Sequence, residues 1–519
     1  MIKRALAFAL ALAMIISLAA CKGSAEPTSQ DPPSNGSAAT VAPANETAPE
    51  AAPAEIKKVI VAFPTWVGAP PDTGIVQDAM NEILSKVGVE IELQISDPGS
   101  FSQNMTLALS SGEQIDVMGS LMANYTSLVT QGYLLDLEKD DLIGTYGKGI
   151  VDAVGQEYID ACRVGGILYG LPNNRDMAVG RFCASISTEC LEGIGYTPKE
   201  ALYDRVRITP EEFDEILAKI HDKYPDKETL RVGLVSYMQC NTADFIGGNA
   251  FGVLLDYGKT LKVENTFETQ EYKDWCKKVY GYNQKGYINP DIATDTTDVY
   301  SLLGAGRVAG FLEQGKPGIQ MQDVAGSGIP MTVFQMKDDF VSSSAVAGFP
   351  WVVPYTTADS VATMKFLNEI YTSEELTNLF VYGIEGKHYI VKDDGLAAYA
   401  EGVNAMNVGF STISWAAPNQ FLAHVWEGNS PNLWNELREF NNNAAKSAAL
   451  GFTFDPTPIA TEMTAVQNTY DEYQKSIEYG FVDPETAIPE MNAKMLSAGL
   501  QKIIDEKQKQ LDEWAALSA

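Results

Sequence analysis

Side chains that often perform chemistry occur throughout this chain, but they lack the spacing of a known catalytic or metal-binding motif. The chain has only three histidines and no H-E-x-x-H sequence, so a zinc hydrolase is not expected. It also has no G-x-S-x-G nucleophile motif. Asp291, Asp295 and Asp298 could surround a cation, but their spacing differs from that of an EF-hand loop. We therefore expect a protein that is not an enzyme and that holds no metal or other cofactor.

Two glycine-containing stretches come close to nucleotide-binding motifs without matching them. Residues 252–260 resemble a phosphate-binding loop, but the spacing between the glycines is one residue too long. Residues 304–310 resemble a dinucleotide fingerprint, but they follow a helical pattern, whereas that fingerprint follows a strand and opens a helix. Carboxylates are too numerous in this acidic chain to single out the acid and nucleophile of a glycosidase.

The order of residues at the N-terminus predicts a covalent modification. Lys3 and Arg4 precede an apolar run that is too short to cross a bilayer, and small residues then precede Cys21. This order resembles the lipobox of bacterial lipoproteins, in which a diacylglyceryl group is attached to the cysteine and the signal is removed before it. The resemblance implies a signal peptide over residues 1–20, diacylglycerol and palmitate on Cys21, and anchoring at the extracellular face of the cell membrane. The alternative is a secretory signal with an incidental cysteine.

The composition is that of a globular and acidic protein. Of the 519 residues, 45% are hydrophobic and 10% are aromatic, which allows two or three domains with sizeable cores. Lys and Arg total 37 against 68 Asp and Glu, so the net charge is -31. Such a chain repels phosphate backbones and anionic lipid, so neither nucleic-acid binding nor a polybasic membrane contact is expected. A second long apolar run is absent from the sequence, which argues against a channel.

Cysteine usage does not indicate a disulfide framework. Five cysteines follow Cys21 at irregular spacing and without a C-x-x-C pair: Cys162, Cys183, Cys190, Cys240 and Cys276. Because their number is odd and their spacing irregular, buried free thiols are expected. A single bridge, such as one between Cys183 and Cys190, stays an open alternative.

The helices and strands that must position a site are expected to begin after an N-terminal linker. Residues 21–56 are rich in Ala, Pro, Ser, Thr and Glu and contain no aromatic residue, which predicts a disordered linker. From Lys57 onward, apolar strands alternate with amphipathic helices in the order β-α-β-α-β, which predicts an α/β fold with a mostly parallel sheet. Residues 209–212 and 372–375 fit the capping-box pattern of helix starts, and Asp72 or Thr73 is expected to cap the first helix.

Several stretches resemble the extracellular solute-binding proteins of ABC importers, in particular family 1. Residues 164–172 contain a Y-G-L-P segment that is common in those proteins, and residues 302–310 and 349–380 are similar to their helix-to-strand and strand-to-helix segments. Other stretches resemble a carbohydrate-type subgroup of lipoproteins from Gram-positive bacteria, which carries a C-terminal domain of unnamed function: 382–389, 419–428 and 450–456.

The resemblance implies a two-lobed, type II periplasmic-binding-protein-like fold with a hinge and a ligand cleft between the lobes. It places residues 57–172 and 345–385 in lobe one. Lobe two then comprises 173–344 and 386–519, including the subgroup-specific C-terminal region. The chain is expected to cross the hinge more than once, first near Pro172, and to act as a monomer.

The resemblance also implies a pocket suited to a sugar. Because a sugar has apolar C–H faces and a rim of hydroxyls, its pocket needs flat aromatic rings and planar polar groups. Side chains of these types lie on loops expected to face the cleft: Trp66, Arg175, Asp176, Trp351, Glu385, Trp415, Asn419, Gln420 and Trp426. The alternatives are that the tryptophans are core residues and that Arg175 and Asp176 form an interlobe ion pair.

The expected function is therefore capture of an extracellular solute, most simply an oligosaccharide, and its delivery to the permease subunits of an ABC importer. A receptor for a peptide or another solute, in uptake or in sensing, is the alternative hypothesis. An extracellular carbohydrate-active enzyme is a more distant one.

Overall fold

Two mixed sheets organise the chain. The computed structural model describes residues 56–66, 69–199, 201–202, 204–234 and 237–518, and these described residues belong to one compact unit. The predicted signal peptide and the predicted linker up to residue 55 lie outside the described residues. In the described part of the chain, no helix is long and apolar enough to cross a membrane.

The strands and helices are numbered in chain order. The strands are β1 Lys57–Pro64, β2 Val89–Ser96, β3 Val117–Gly119, β4 Arg163–Val164, β5 Ile167–Leu168, β6 Gly170–Leu171, β7 Val179–Ser187, β8 Arg205–Arg207, β9 Gly310–Gly315, β10 Met331–Gln335, β11 Asp339–Val341, β12 Trp351–Val352, β13 Tyr389–Val391, β14 Ala397–Tyr399 and β15 Ala445–Lys446. The helices are α1 Thr73–Leu84, α2 Pro98–Ser111, α3 Tyr125–Thr130, α4 Leu142–Tyr146, α5 Lys148–Val154, α6 Gln156–Asp160, α7 Thr188–Gly193, α8 Pro210–Lys223, α9 Gln270–Gln284, α10 Val299–Gly304, α11 Ile319–Ser327, α12 Ser360–Thr372, α13 Glu374–Tyr382, α14 Leu433–Asn443, α15 Ala460–Glu478, α16 Pro484–Ala498 and α17 Leu500–Ser518.

The first sheet has the strand order β2-β1-β3-β12-β6. Its first three strands are parallel, as the β-α-β-α-β pattern predicts, because each helix returns the chain to the same edge of the sheet. The last two strands are antiparallel to their neighbours. The second sheet has the order β15-β11-β7-β10-β8, and β9 also pairs with the long strand β7. The α/β prediction is confirmed.

Buried apolar side chains form two large cores, one for each sheet. The first core draws on residues 59–178 and 341–444, and the second on residues 182–334 and 449–511. The chain therefore passes between the cores near residues 178–182, 334–341 and 444–449. These passages differ from the predicted lobe boundaries, most clearly after residue 386. Residues 396–444 supply side chains to the first core because the apolar face of α14, with Leu437 and Phe440, is buried there.

Capping side chains begin several helices at the positions that the sequence indicates. Thr209 accepts a hydrogen bond from the Glu212 N–H at the start of α8. At α13 the capping residue is Ser373, whose hydroxyl accepts from the Leu376 N–H. Asp72 precedes α1 but makes no side-chain cap. Its Oδ2 instead accepts from His388 Nε2 at 2.9 Å and pairs with Lys387 Nζ at 2.8 Å.

The C-terminal helices are attached to the second core through a buried lysine. Helices α15 and α16 pack against each other and against α9, and α17 packs along α15 and α16. The ammonium of Lys507 in α17 is completely buried, and it donates to the Ile246 carbonyl at 2.6 Å, Asn249 Oδ1 at 2.9 Å and the Gly252 carbonyl at 3.2 Å. Burial lowers the pKa of Lys507 to about 7, with Asp244 opposing that shift. One side chain thus binds two buried carbonyls and one part-buried amide oxygen of the segment 246–252.

We expect Lys507→Met to lower the free energy of unfolding by about 2–4 kcal/mol, because it removes the donor to the buried carbonyls of Ile246 and Gly252. Urea unfolding followed by circular dichroism measures the change. Lys509→Met is the matched control in the same helix. Lys509 is exposed and pairs with Glu506, so its replacement should change the stability by less than about 0.5 kcal/mol. Equal effects of the two substitutions would contradict the attachment through Lys507.

Candidate functional site

A cavity of about 540 Å³ lies between the segments that build the two cores. Phe349 and Trp415 line it from one side, and their neighbours Trp351 and Ala417 belong to the first core. Leu312 of β9 lines it from the other side and belongs to the second core. Further lining residues are Arg175, Asp176, Ala178, Val179, Leu234, Asp298, Val299, Tyr300, Phe311, Glu313, Gln314, Gly315, Lys316 and Ile319. A ligand in this cavity would contact both halves of the molecule.

Two half-buried aromatic rings form the apolar part of the lining. Phe349 and Trp415 meet edge to face, with ring centroids 5.5 Å apart. The guanidinium carbon of Arg175 lies 4.7 Å from the Phe349 ring centroid, in a cation–π contact. Because both rings are only partly covered, they offer flat apolar surface to a ligand.

Two side chains hold the backbone beside Trp415 by donating hydrogen bonds to the same carbonyl. The Ala416 carbonyl accepts from the indole N–H of Trp351 at 3.0 Å and from the Asn173 side-chain amide at 2.7 Å. Trp351 is 2% exposed and packs against Phe63 and Phe380. Trp351, a residue of the first core, thus positions Trp415 through the adjacent residue Ala416.

Arg175 and Asp176 lie in residues 173–178, the passing segment, which leads into the first passage of the chain between the cores. The Arg175 guanidinium donates to the carbonyls of Asp176 and Ala345, and its Nη1 is 3.9 Å from the Asp176 carboxylate. Burial lowers the pKa of Arg175. Lys316, from the second half, pairs with Asp176 at 3.2 Å. Asp176 therefore lies closer to Lys316 than to Arg175, the partner named in the alternative prediction.

An asparagine of the first half fixes the same passing segment. Asn441 in α14 accepts hydrogen bonds from the N–H groups of Met177 and Ala178 at 2.8 and 3.0 Å, and it donates to the Arg175 carbonyl at 2.7 Å. Asn441 is buried, so water does not compete strongly for these bonds. These hydrogen bonds hold the segment beside the cavity.

Three of the predicted site residues come together at the cavity, namely Arg175, Asp176 and Trp415. Asn419 and Gln420 lie next to it but are buried, and they hold the passing segment to the first half. The Asn174 N–H donates to the Pro418 carbonyl at 2.8 Å, and the Gln420 N–H donates to the Asn174 carbonyl at 3.0 Å. The side chain of Asn419 donates to the Tyr371 carbonyl.

The other predicted residues lie elsewhere. Trp66 follows β1 and is 59% exposed, so its side chain is accessible although it does not line the cavity. Trp426 is half-buried against Tyr382 and Tyr399. Glu385 is exposed and borders a separate cavity of about 620 Å³ beside α1 and α13.

Sequence reasoning missed Phe349, Lys316 and Glu313. Phe349 stands in the apolar strand region that the sequence identifies, and an aromatic ring beside a proline was an available signal. Glu313 interrupts the apolar strand β9, so a carboxyl group at a buried strand position was a second signal. Lys316 carried no signal, because only the fold brings it to Asp176.

The described residues contain no group of three or more His, Cys, Asp or Glu side chains that could hold a metal ion. The five cysteines after Cys21 are all free and buried. The alternative of a Cys183–Cys190 bridge is therefore not realised, and burial raises the pKa of the Cys162 and Cys190 thiols.

Comparison with known proteins confirms the resemblance and the fold. Residues 448–516 match the family described as a domain of unknown function, DUF3502. The chain is 27% identical over 465 residues to a carbohydrate ABC transporter substrate-binding protein of Streptococcus pneumoniae serotype 4, covering 86% of this chain and 89% of that protein.

Solved structures show the same two-lobed architecture. The N-glycan transport solute binding protein NgtS from Streptococcus pneumoniae superposes with a TM-score of 0.76 at 23% identity, covering 88% of this chain and 98% of that one. An extracellular solute-binding protein from Bifidobacterium longum subsp. infantis gives a TM-score of 0.60 at 16% identity, with coverages of 88% and 98%. The type II periplasmic-binding-protein-like fold is thus established.

The two tryptophans Trp351 and Trp66 should differ sharply in their effect on stability. We expect Trp351→Ala to lower the free energy of unfolding by about 3–5 kcal/mol, because it empties a buried site and removes the donor to Ala416. Trp66→Ala should change the stability by less than about 0.5 kcal/mol, because that ring is largely exposed. Chemical denaturation of both variants measures the difference, and a stable Trp351→Ala protein would show that the ring is dispensable for packing.

Proposed function

We propose that this protein captures an oligosaccharide in the cavity between its two halves and delivers it to an ABC importer. The observation that carries the proposal is the cavity itself, in which half-buried aromatic rings and planar polar groups face one space between two cores. The homologous carbohydrate ABC transporter substrate-binding protein supports the same function.

The lining matches the chemistry of a sugar. The C–H faces of a sugar ring can stack on Trp415 and Phe349, and its hydroxyls can bond to Asp176, Gln314 and Lys316 at the border. A volume of about 540 Å³ lies within the usual range of roughly 300–1,000 Å³ for small-molecule sites. The cavity therefore has room for a few sugar residues.

The charges of the lining favour an uncharged ligand. Lys316 and Arg175 stand against Asp176 and Asp298, and burial raises the pKa of the third acid, Glu313, well above its ordinary value, so the lining carries little net charge although the whole chain is strongly acidic. A neutral glycan meets no net repulsion there, whereas an ionic ligand would have to leave one protein charge unpaired. Solved NgtS structures contain Man1GlcNAc and Man5GlcNAc, and we propose neutral glycans of this kind as the first ligands to test.

Ligand capture would work by closure of the two halves. The cavity has lining residues from both cores, and the chain passes between these cores near residues 178–182, 334–341 and 444–449, in segments that can act as hinges. A ligand that contacts both halves stabilises the closed form through its higher affinity for that form. The importer would then recognise the closed protein, without any turnover of the glycan.

We expect Man5GlcNAc to raise the melting temperature of a protein comprising residues 56–519. At a ligand concentration of 100 times the dissociation constant, the stabilisation is ~2.7 kcal/mol. Trp415→Ala should weaken the affinity roughly tenfold to a hundredfold, because it removes the main stacking surface. Differential scanning fluorimetry and titration calorimetry provide the measurements.

Trp415→Phe is the matched control, because it keeps a flat ring at the same position and should retain most of the affinity. Stabilisation by a peptide but by no glycan would reject the sugar ligand. Trp66→Ala extends the test to a ring outside the cavity, and a loss of affinity in that variant would mean that closure brings Trp66 onto the ligand.

We also propose that the protein is lipid-anchored through Cys21, which lies outside the described residues. The N-terminal sequence and the Ala-, Pro-, Ser- and Thr-rich composition of residues 21–56 support this proposal. A linker of this length keeps a capture protein near the importer and raises the effective concentration of the protein at the importer.

Cys21→Ser should release the protein from the membrane fraction while leaving its affinity for glycan unchanged, because the cavity is built from residues 175–415. Membrane fractionation and calorimetry on the released protein test both parts. Cys162→Ser is the control for cysteine replacement, since that thiol is buried in the first core. Retention of the Cys21→Ser protein on membranes would reject the lipid anchor.

A further inference from the structure

A carboxyl group lies in the middle of a buried strand at the border of the cavity. Glu313 is the fourth residue of β9, which reads Gly-Phe-Leu-Glu-Gln-Gly, and it is 6% exposed. Its partner across the strand pair is Cys183 of β7. A buried glutamate in such an apolar setting is costly unless its charge is neutralised or paired.

Glu313 faces a second buried acid instead of a base. Asp323 of α11 is fully buried, and its carboxyl group lies within hydrogen-bond reach of that of Glu313. Asp323 Oδ2 accepts from the Ser185 hydroxyl at 2.5 Å, and Oδ1 accepts from the Tyr300 hydroxyl at 3.1 Å. In the described part of the chain, neither carboxyl group pairs with a lysine or an arginine.

Two adjoining carboxyl groups without a cation must share a proton. Asp323 already accepts hydrogen bonds from two hydroxyls, so it is the better site for the negative charge. Glu313 therefore carries the proton and donates it toward Asp323. Burial and the neighbouring Asp323 raise the pKa of Glu313 well above its ordinary value.

The other groups that face Glu313 support the neutral form. Asp204, beside β8, is a further nearby carboxyl group, and burial raises its pKa to about 7. Tyr300 and Cys183 both lie close enough to interact with the Glu313 charge, and burial raises the pKa of Tyr300. None of these groups supplies a positive charge, so ionisation of Glu313 would place two negative charges side by side.

Glu313 also lines the cavity, so part of its carboxyl group can meet a ligand. Its Oε1 has no accessible surface and receives no hydrogen bond from an N–H or hydroxyl group of the described residues. A ligand hydroxyl would therefore meet the other oxygen, Oε2, on the cavity side.

We propose that Glu313 binds a hydroxyl of the glycan as a neutral acid that shares its proton with Asp323, so that loss of this proton at alkaline pH weakens glycan binding. This inference rests on the proposed function. It identifies a ligand contact on the second half of the molecule, opposite Trp415 and Phe349, and it makes capture dependent on pH.

The test measures the affinity for Man5GlcNAc by calorimetry from about pH 6 to about pH 9. The wild-type affinity should fall about tenfold per pH unit once the pair has lost its proton. Glu313→Gln should keep a nearly constant affinity over this range, because the amide is neutral and can still donate to Asp323. In Asp323→Asn the affinity should still decline with rising pH, but over a different pH range, since Glu313 then titrates beside a neutral partner.

Glu472→Gln, on the exposed side of α15, is the control for replacing a surface carboxyl group and should follow the wild type. An infrared difference spectrum between wild type and Glu313→Gln at neutral pH should contain the carbonyl band of a protonated acid. Absence of that band, or a Glu313→Gln protein that titrates like the wild type, would overturn the inference while leaving glycan capture intact. If the wild type binds no glycan at any pH, the proposed function fails and the ligand role of Glu313 fails with it.

Discussion

The geometry of the cavity depends on one shared acceptor, the carbonyl of Ala416. It receives hydrogen bonds from Trp351, which belongs to the first core, and from Asn173, which begins the segment that passes to the second half. Trp415 precedes this carbonyl, so its ring is fixed relative to both the core and the passing segment. A residue buried too deeply to touch a ligand can thus determine where a ligand-facing ring lies.

The passing segment is held on both sides by different kinds of interaction. On the first half, Asn441 binds its backbone through buried hydrogen bonds. On the second half, Lys316 reaches it through an ion pair that is more exposed to water. Buried hydrogen bonds are costly to break, whereas partly solvated ion pairs exchange readily with water. We therefore expect the second half to move relative to the passing segment by breaking the Lys316 ion pair, while the Asn441 hydrogen bonds stay in place.

Much of the fold could be predicted from the sequence because its signals are local. The alternation of strands and helices, the parallel pairing of β1 to β3 and the helix starts at Thr209 and Ser373 depend on residues close together in the chain. The site was only partly predictable. Arg175, Asp176 and Trp415 reach the cavity, but sequence could not reveal that Trp351 is buried or that residues 396–444 pack on the first core. Those outcomes depend on contacts between residues far apart in the chain.

The burial of every cysteine after Cys21 has a practical consequence for studying this motion. A buried thiol with a raised pKa reacts slowly with maleimides and oxidants, since the thiolate is the reactive form. In a protein comprising residues 56–519, the native cysteines should therefore react little with a thiol label. Two cysteines introduced on exposed positions, one on each half, could carry a fluorophore pair. Energy transfer between them would then report opening and closing of single molecules.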